Sequence, residues 1–542
     1  SSELFSVAEA APTDQFSKII EGPVVTDGGS SRGGSWADYN NDGLIDLFVP
    51  NEGDNYLYKN LGNGNFEKII TGPVVSDGGN SYGATWGDYD NDGYIDLFVS
   101  NYQENNFLYK NSGDGSFTKI ENLNIVTDGG GSFGATWGDY DGDGLLDLFV
   151  ANHAQNNFLY HNEGNGVFTR VTSGPIVTGN FESKQGTWVD YDKNGTLDLF
   201  VNNTTYQQNL LYRNDGDGIF VSITDGPVVT DLSYSLGNSW GDYNNDGYLD
   251  LFVANYNESN YLYKNNGDGT FNKITSGDIV NEGEPSFGSS WIDYDNDGDL
   301  DLFVTDRDNN NDLYRNNGDE TFTRITGSVI VTDIETSWGC AWADYDNDGD
   351  LDLFVANDGE NNSLYKNNGT VNNWIKIQCG GILSNTSAIG AKVEVLANIA
   401  GTSYRQSREI CSQTGYHSQD SLTVEFGLRD ATIIDEIKIT WPSGVMQTLN
   451  DISVNQTITI TEQLPDSITL TSPNGGENWA AGTTQMITWT HTGTIANVKI
   501  EYSADNGTSW NEIAASTANT GSYNWIIPGT PSSDCLVRVS DS

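Results

Sequence analysis

Sulfur is scarce in this chain. Four cysteines and two methionines in 542 residues exclude a disulfide-stapled scaffold, which needs cysteine at much higher density. Cys379 and Cys411 fall in one segment and can pair, although spacing alone does not decide it. Cys340 stands in Trp338-Gly-Cys-Ala-Trp342 and reads as a small buried residue, and Cys535 is the fourth. Basic residues are also few: 24 Lys and Arg face 76 Asp and Glu, for a net charge of -52. Nucleic acid and anionic membranes are recognised through Lys and Arg, so both are disfavoured as partners. No run of about 20 apolar residues occurs, so no transmembrane helix and no membrane insertion are expected. The N-terminal Ser1-Ser2-Glu3-Leu4 lacks the basic and apolar parts of a signal peptide. It is compatible with a processed, secreted chain and equally with a cytosolic one. The four histidines, His153, His161, His417 and His491, lie in no nucleophile or zinc motif, although His153 and His161 are close enough in sequence to meet. G-x-S-x-G, H-E-x-x-H and phosphate-loop motifs are absent, so no catalytic residue is assigned.

Such acidity ordinarily marks disorder. Here aromatics make up 11% of residues and strand-like runs recur throughout, neither of which a disordered chain has. The carboxylates must therefore sit at defined places, where bound cations offset them.

An internal repeat organises the chain. The string W-x-D-Y-(D/N)-x-(D/N)-G-x-x-D-L-F-V occurs seven times, with steps of 50, 51, 51, 52, 51 and 51 residues between the first aspartates. Each unit reads as four short strands: one ending at the Trp, then D-L-F-V, then L-Y-K-N or a relative, then F-x-K-I. Gly- and Asn-rich turns separate the last two, as in a hairpin. Four strands in about 50 residues is the size of a propeller blade. The seventh unit lacks its F-x-K-I strand, and Phe16-Ser17-Lys18-Ile19 supplies one ahead of the first unit. The N-terminal strand is expected to complete the last blade and close the ring. The seven Trp residues, one per blade, read as core.

Inside each unit lies D-x-(D/N)-x-(D/N)-G-x-x-D. Calcium takes six to eight hard oxygen ligands at about 2.3–2.6 Å. Side chains at positions one, three and five can converge on one centre, Gly at six allows the sharp turn, and Asp at nine closes the sphere. The seven sets are Asp38, Asn40, Asp42 and Asp46; Asp88, Asp90, Asp92 and Asp96; Asp139, Asp141, Asp143 and Asp147; Asp190, Asp192, Asn194 and Asp198; Asp242, Asn244, Asp246 and Asp250; Asp293, Asp295, Asp297 and Asp301; Asp344, Asp346, Asp348 and Asp352. Up to seven structural calcium ions are expected. Magnesium fits less well, because it demands a tight octahedron and retains water.

These loops, each followed by L-F-V, make the chain resemble the FG-GAP/VCBS repeat family over residues 1 to about 370. The resemblance implies a seven-bladed propeller with calcium loops on one face and ligand-binding loops on the other. Blade four departs from the pattern: Lys193 enters its loop, Asn194 replaces Asp, and Thr178-Gly179-Asn180 replaces T-D-G-G, so its calcium site is expected to be the weakest. Elsewhere the Asp-Gly-Gly segments at Asp27, Asp77 and Asp128 are candidates for ligand contact, or simply turn the chain.

After Gly369 the rhythm stops. Period-two alternation in residues 374–378, 391–395, 422–426, 437–441 and 456–460 predicts a half-buried antiparallel sheet. The pieces N-N-W-I-K-I, I-G-A-K-V-E-V, G-Y-H-S-Q, F-G-L, W-P-S-G and N-Q-T-I-T-I resemble, in order, the ASPIC/UnbV domain, which commonly follows such repeats, as in cartilage acidic protein and related bacterial proteins. Beyond a linker at 462–466, the segments 468–479, 487–489 and 498–502 resemble an immunoglobulin-like sandwich of bacterial secreted proteins. A final strand normally follows a segment such as Val537-Arg-Val-Ser-Asp-Ser542, so truncation or strand addition by a partner is expected. The fold class is thus all-β, with a propeller over 1–370, an ASPIC/UnbV-like domain over 371–464 and an Ig-like sandwich over 465–542.

Together these features predict a secreted or cell-surface protein of bacterial type. It presents a propeller surface to an extracellular glycan or protein ligand. Alternatives are a fibre or surface-layer subunit that self-associates through its C-terminal domains, and a calcium-dependent polysaccharide-degrading enzyme. The sequons at Asn203 and Asn385 are of a kind expected by chance in so polar a chain.

Overall fold

The computed structural model describes residues 14–281 and 283–542, so Ser1–Leu4 lies outside the described residues. It is all-β, and the chain divides into two compact units, residues 1–462 and 463–542.

The first unit is built on seven four-stranded antiparallel blades. Blade five is typical: Ser235–Gly241, Asp250–Asn255, Tyr261–Asn265 and Phe271–Ile274 pair in that order. The D-L-F-V run forms the second strand and is buried on both faces. Leu47, Phe48 and Val49, for example, are fully buried, as expected for an apolar run sandwiched between neighbouring sheets. Each phenylalanine of this run meets the tryptophan of the next blade edge to face, from Phe48–Trp86 through Phe303–Trp342. The last contact, Phe354–Trp36 at 6.5 Å, joins blade seven to blade one. Six of the seven tryptophans are buried, and Trp240 is half-buried. The ring also closes through the backbone: Phe16–Lys18 pairs antiparallel with Ser363–Asn367, placing Phe16 opposite Asn367.

Residues 373–461 form two sheets where one was expected. Asn373–Gly380 lies between Val424–Arg429 and Gln456–Thr461. Its pairing with the latter is parallel, which alternation cannot reveal. The second sheet orders Thr402–Glu409, Lys392–Ile399, Ile433–Thr440 and Met446–Ser453. Thr402–Glu409 and Met446–Ser453 escaped sequence reading because they carry few apolar residues, and Met446 is itself exposed. The core between the sheets, including Ile375, Ile377, Val393, Val395, Phe426 and Ile437, is continuous with that of blades two and three. Propeller and ASPIC-like segment therefore form one compact unit.

The link is a plug. Residues 411–421 enter the axis of the propeller, where each inner strand presents an unpaired edge. Gln419 accepts Trp36 N–H and donates to the Gly34 carbonyl, while its side chain accepts Trp86 N–H at 2.6 Å. Ser412 Oγ accepts Trp137 N–H at 2.8 Å, and Asp420 accepts Trp342 N–H at 2.7 Å. Tyr416, 1% exposed, packs on Leu236, Phe287 and Trp338. The strands can approach this loop because they carry glycine: a Cβ at Gly339 would collide with the Tyr416 carbonyl and Ser418 Oγ.

The second unit consists of two three-stranded sheets, Ser467–Ser472, Thr484–Thr492 and Ser522–Ile526 in one and Asn511–Ala518, Asn497–Ser503 and Leu536–Asp541 in the other. Its core is small: Ile487, Trp489, Ile495, Val498 and Ile500. The four cysteines are free, so Cys379 and Cys411 are unpaired, and Cys340 is fully buried. Asn203 and Asn385 are fully buried and donate to the carbonyls of Gln208 and Ile389, so neither sequon is open to a glycan.

Candidate metal centres

The seven loops share one construction. The first Asp anchors the turn through both oxygens: Asp38 Oδ1 accepts Asp42 N–H at 3.0 Å and Oδ2 accepts Gly43 N–H at 2.8 Å. The same pair recurs down to Asp344 with Asp348 and Gly349. Two residues per loop are left-handed, position four and the glycine at six, with φ 54° at Asn41 and 84° at Gly43. Asn tolerates this region and Gly is free in it. Blade four places Lys193 there, at φ 58°, a conformation that costs a long side chain about 1–2 kcal/mol. Its ammonium turns away from its own loop and lies 4.3 Å from the Tyr248 ring centroid.

Carboxylates converge in several loops. Ligand oxygens of Asp88, Asp90 and Asp96, of Asp139, Asp141 and Asp143, of Asp190, Asp192 and Asp198, and of Asp293, Asp295 and Asp297 each lie within 4.8 Å of one another. In blades one and five the asparagine at position three bridges instead, with Asn40 Nδ2 2.8 Å from Asp46 Oδ2 and Asn244 Nδ2 3.0 Å from Asp250 Oδ2.

The ninth-position aspartate does more than the sequence suggested. It is almost completely buried in every blade, and one oxygen accepts a backbone N–H from the third strand, as Asp46 does from Asn60 at 2.7 Å. Burial is the main cause that pushes its pKa up, to about 8 at Asp46 and about 9 at Asp96, Asp198 and Asp250, with neighbouring loop carboxylates adding to it. Crowded, buried carboxylates that otherwise take up protons are the kind of site a cation relieves. Third-strand cations show the demand: Lys59 Nζ lies 3.1 Å from Asp42, Lys110 pairs with Asp90 and Asp92, and Lys366 pairs with Asp346 and Asp348. In blade three the equivalent residue is His161, 3.1 Å from Asp147 and 3.2 Å from Asp141. All-oxygen donors at this density fit calcium.

Sequence reasoning missed the asparagine of L-Y-K-N, although its sevenfold repetition was the available signal. Asn214 is fully buried. Its side chain donates to Tyr140 O in the preceding blade at 2.7 Å and to Leu197 O at 3.1 Å, and accepts Gly216 N–H. Asn60, Asn111, Asn162, Asn265, Asn316 and Asn367 repeat the bond to the neighbouring blade. Asn214→Ala strands two buried carbonyls and one N–H, and is expected to cost about 2–4 kcal/mol in denaturant unfolding. A cost below about 1 kcal/mol would show the staple to be dispensable.

The plug-bearing segment also covers the loops. Lys376 Nζ pairs with Asp344 at 2.5 Å, Lys392 Nζ with Asp190 at 2.7 Å, and Gly427 N–H donates to Asp293 at 3.0 Å. Thr386 Oγ1 bonds Asp88. These partners were invisible in the sequence, being 32 to 298 residues away.

The other candidates resolve differently. Asp27, Asp77 and Asp128 are engaged inside their blades. Asp128, for example, accepts Tyr160 Oη at 2.9 Å and pairs with Arg170 at 3.0 Å. Asp27 and Asp77 bind Tyr58 and Lys68, and Tyr109 and Lys119, in the same way. They suture strands and are not free for a ligand. His153 and His161 do not meet: His161 faces the metal loop, whereas His153 pairs with Glu182 at 2.5 Å. His491 is exposed in the second unit, and His417 is fully buried in the plug.

Comparison with known proteins accords with this construction. The FG-GAP-like repeat family matches six overlapping stretches, residues 38–99, 88–150, 139–201, 190–253, 242–304 and 293–355. Each runs from one loop through the next D-L-F-V strand. The ASPIC and UnbV family matches residues 381–466. Cartilage acidic protein 1 of Xenopus tropicalis is 27% identical over 347 residues, covering 56% of this chain and 50% of that protein. The Homo sapiens protein of that name is 28% identical over 280 residues, covering 47% and 40%. This chain thus spans half the length, or less, of these curated relatives. Among solved structures, BBS1N in complex with ARL6DN aligns with a TM-score of 0.46 and 11% identity over 65% of this chain and 97% of that one. The V. cholerae biofilm matrix protein Bap1 aligns with a TM-score of 0.33 and 12% identity over 80% and 68%. None of the matched families is an enzyme family. Among the described residues, no helix is long and apolar enough to cross a membrane.

Proposed function

Because the chain belongs to the FG-GAP-like repeat family and carries an ASPIC and UnbV segment, we propose that it is an extracellular binding protein whose propeller is made rigid by calcium. The observation that supports this most is the ring of seven all-oxygen loops, each closed by a buried aspartate bonded to the third strand. In each loop the residues at positions one, three, five and nine would hold the ion. It would neutralise carboxylates that burial otherwise drives to take up protons. The ASPIC-like segment covers this face, which leaves the opposite face and the rim to meet a glycan or protein ligand.

The net charge of -52 favours a monomer through self-repulsion. Light scattering after size exclusion is expected to give a single species near 59.0 kDa in calcium. Large calcium-dependent assemblies would instead favour a fibre or surface-layer subunit. A second measurement locates the binding surface. Residues 463–542 form their own compact unit, so removing 466–542 is expected to leave glycan-array or matrix-protein signals intact. Loss of every signal in that truncation would move the ligand site to the second unit.

A further inference from the structure

Opposite the metal loops, side chains from the first strands of several blades meet around the propeller axis. They come from the residue four places before each blade tryptophan. In five blades this is Tyr82, Phe133, Leu236, Phe287 or Trp338. In the other two it is a cation, Arg32 or Lys184, each 7% exposed. Such burial of two positive charges is unexpected in so acidic a chain, and the two are treated differently. Arg32 is partnered: its guanidinium lies 2.9 Å from Asp358 and 4.1 Å over the Trp338 ring.

Lys184 makes no close ion pair among the described residues. Its Nζ sits 3.3 Å from the Phe133 ring centroid, and the acid nearest along its strand, Glu182, attracts it from a distance while pairing with His153. Burial pulls the lysine down to about 7.

Two further polar side chains end here without partners. The residue after Lys184 is Gln185, where the other blades have Gly33, Gly83, Gly134, Gly237, Gly288 and Gly339. Its amide is fully buried, and neither the oxygen nor the nitrogen is bonded. Beneath lies the plug residue His417, fully buried, stacked 3.7 Å from Tyr416 and packed against Tyr82 and Phe133. Both of its ring nitrogens are unbonded. Buried polar groups left unpaired cost about 1–3 kcal/mol each, and of these three side chains only Lys184, 7% exposed, keeps surface that a ligand can reach. Burial, with Lys184 and Arg32 adding to it, holds the His417 ring neutral. The half-buried walls above, Tyr102, His153 and Tyr256, are ring surfaces suited to stacking on a sugar.

We infer that this end of the axis is a site for an acidic glycan, which places a carboxylate or sulfate on Lys184 and a sugar ring against the half-buried aromatic side chains around it. This deepens the binding-protein reading and rests on it. Lysine to carboxylate is a charge-assisted contact, about twice as strong as a neutral one. Removing its charge should therefore weaken binding more than tenfold.

The test is calorimetry on the full chain in calcium at low salt, with three probes: a galacturonate trimer, a neutral galactose trimer, and inorganic sulfate alone. The expected result is binding of the galacturonate trimer, more than tenfold loss in Lys184→Met, and recovery in Lys184→Arg. The melting temperature of Lys184→Met should be unchanged or raised, because a buried unpaired charge has been removed, which separates lost contact from lost fold. Equal affinity for the acidic trimer in wild type and Lys184→Met would overturn the assignment, as would no binding of it at all. Sulfate binding with no trimer binding would make this a site for a free ion and overturn the glycan. In each failed case the matrix-protein and array screens still report on whether the propeller binds anything, so the broader reading falls or stands separately.

Discussion

Chelation at pH 8 is expected to unfold the propeller or lower its melting temperature by tens of degrees. A site at a hundredfold excess of free ion over its Kd adds about 2.7 kcal/mol to stability. Seven such sites would add about 19 kcal/mol, more than the 5–15 kcal/mol that an ordinary domain has in total. The structure explains why the ion-free ring is weak. The ninth-position aspartates sit at about 9 in blades two, four and five, raised chiefly by burial, whereas in the unfolded chain an aspartate titrates near 4. A carboxylate whose pKa is raised on folding contributes stability that is fully present below its unfolded pKa and lost as pH rises through its folded value. The ion-free protein should therefore become steadily less stable from about pH 4 to about pH 9. With calcium bound, the carboxylates are held ionised and this slope should flatten. Calorimetric scans in calcium and in chelator, at pH 5 and pH 8, check both statements. A melting temperature indifferent to chelator would mean that the loops are turns held by Asp38-type hydrogen bonds alone. Asp250→Asn is the matching point variant. It is expected to make the protein less responsive to calcium while lowering the ion-free stability little, because the neutral side chain suits the buried site.

The second large effect concerns the plug. Tyr416→Ala empties the space between Leu236, Phe287 and Trp338, and large-to-small changes of this kind cost about 3–5 kcal/mol. Part of the loss should be local. The amides of Trp86, Trp137 and Trp342 are held by Gln419, Ser412 and Asp420, so a loosened plug returns three inner-strand edges to solvent. Hydrogen exchange at those amides should accelerate, while the interior of the second strands, such as Phe252 and Val253, both fully buried, stays protected. Gly339→Val should produce the same pattern from the other side, by pushing against the Tyr416 carbonyl. If Tyr416→Ala changes neither the unfolding free energy nor these exchange rates, the plug is a passenger and the propeller is complete without it.

The two predictions draw on different levels of the molecule. The carboxylate clusters were legible because the pattern that makes them is local. Positions one, three, five and nine fall within nine consecutive residues, and their spacing alone brings oxygens together, as at Asp88, Asp90 and Asp96. Ring closure was legible for a similar reason: the missing F-x-K-I strand of the seventh unit had one counterpart to look for, at Phe16–Lys18. The interblade asparagines were visible as letters without their role, because the carbonyl that Asn60 reaches, that of Tyr345, is 285 residues away.

The sequence by itself determined the blade, its repeat number and the clustering of the loop carboxylates, since each depends on periodicity within about 50 residues. Only the tertiary structure decided the rest. It showed that the ASPIC-like segment is part of the propeller's own core. It also showed that the Asp27-type carboxylates are consumed as sutures, and that Lys184, Gln185 and His417 converge on one axis. The reason is geometric: a ring brings the same position of seven repeats to one point. A departure from the pattern that looks minor in one repeat, such as Lys184 and Gln185 in blade four, becomes a site when the other blades supply its walls.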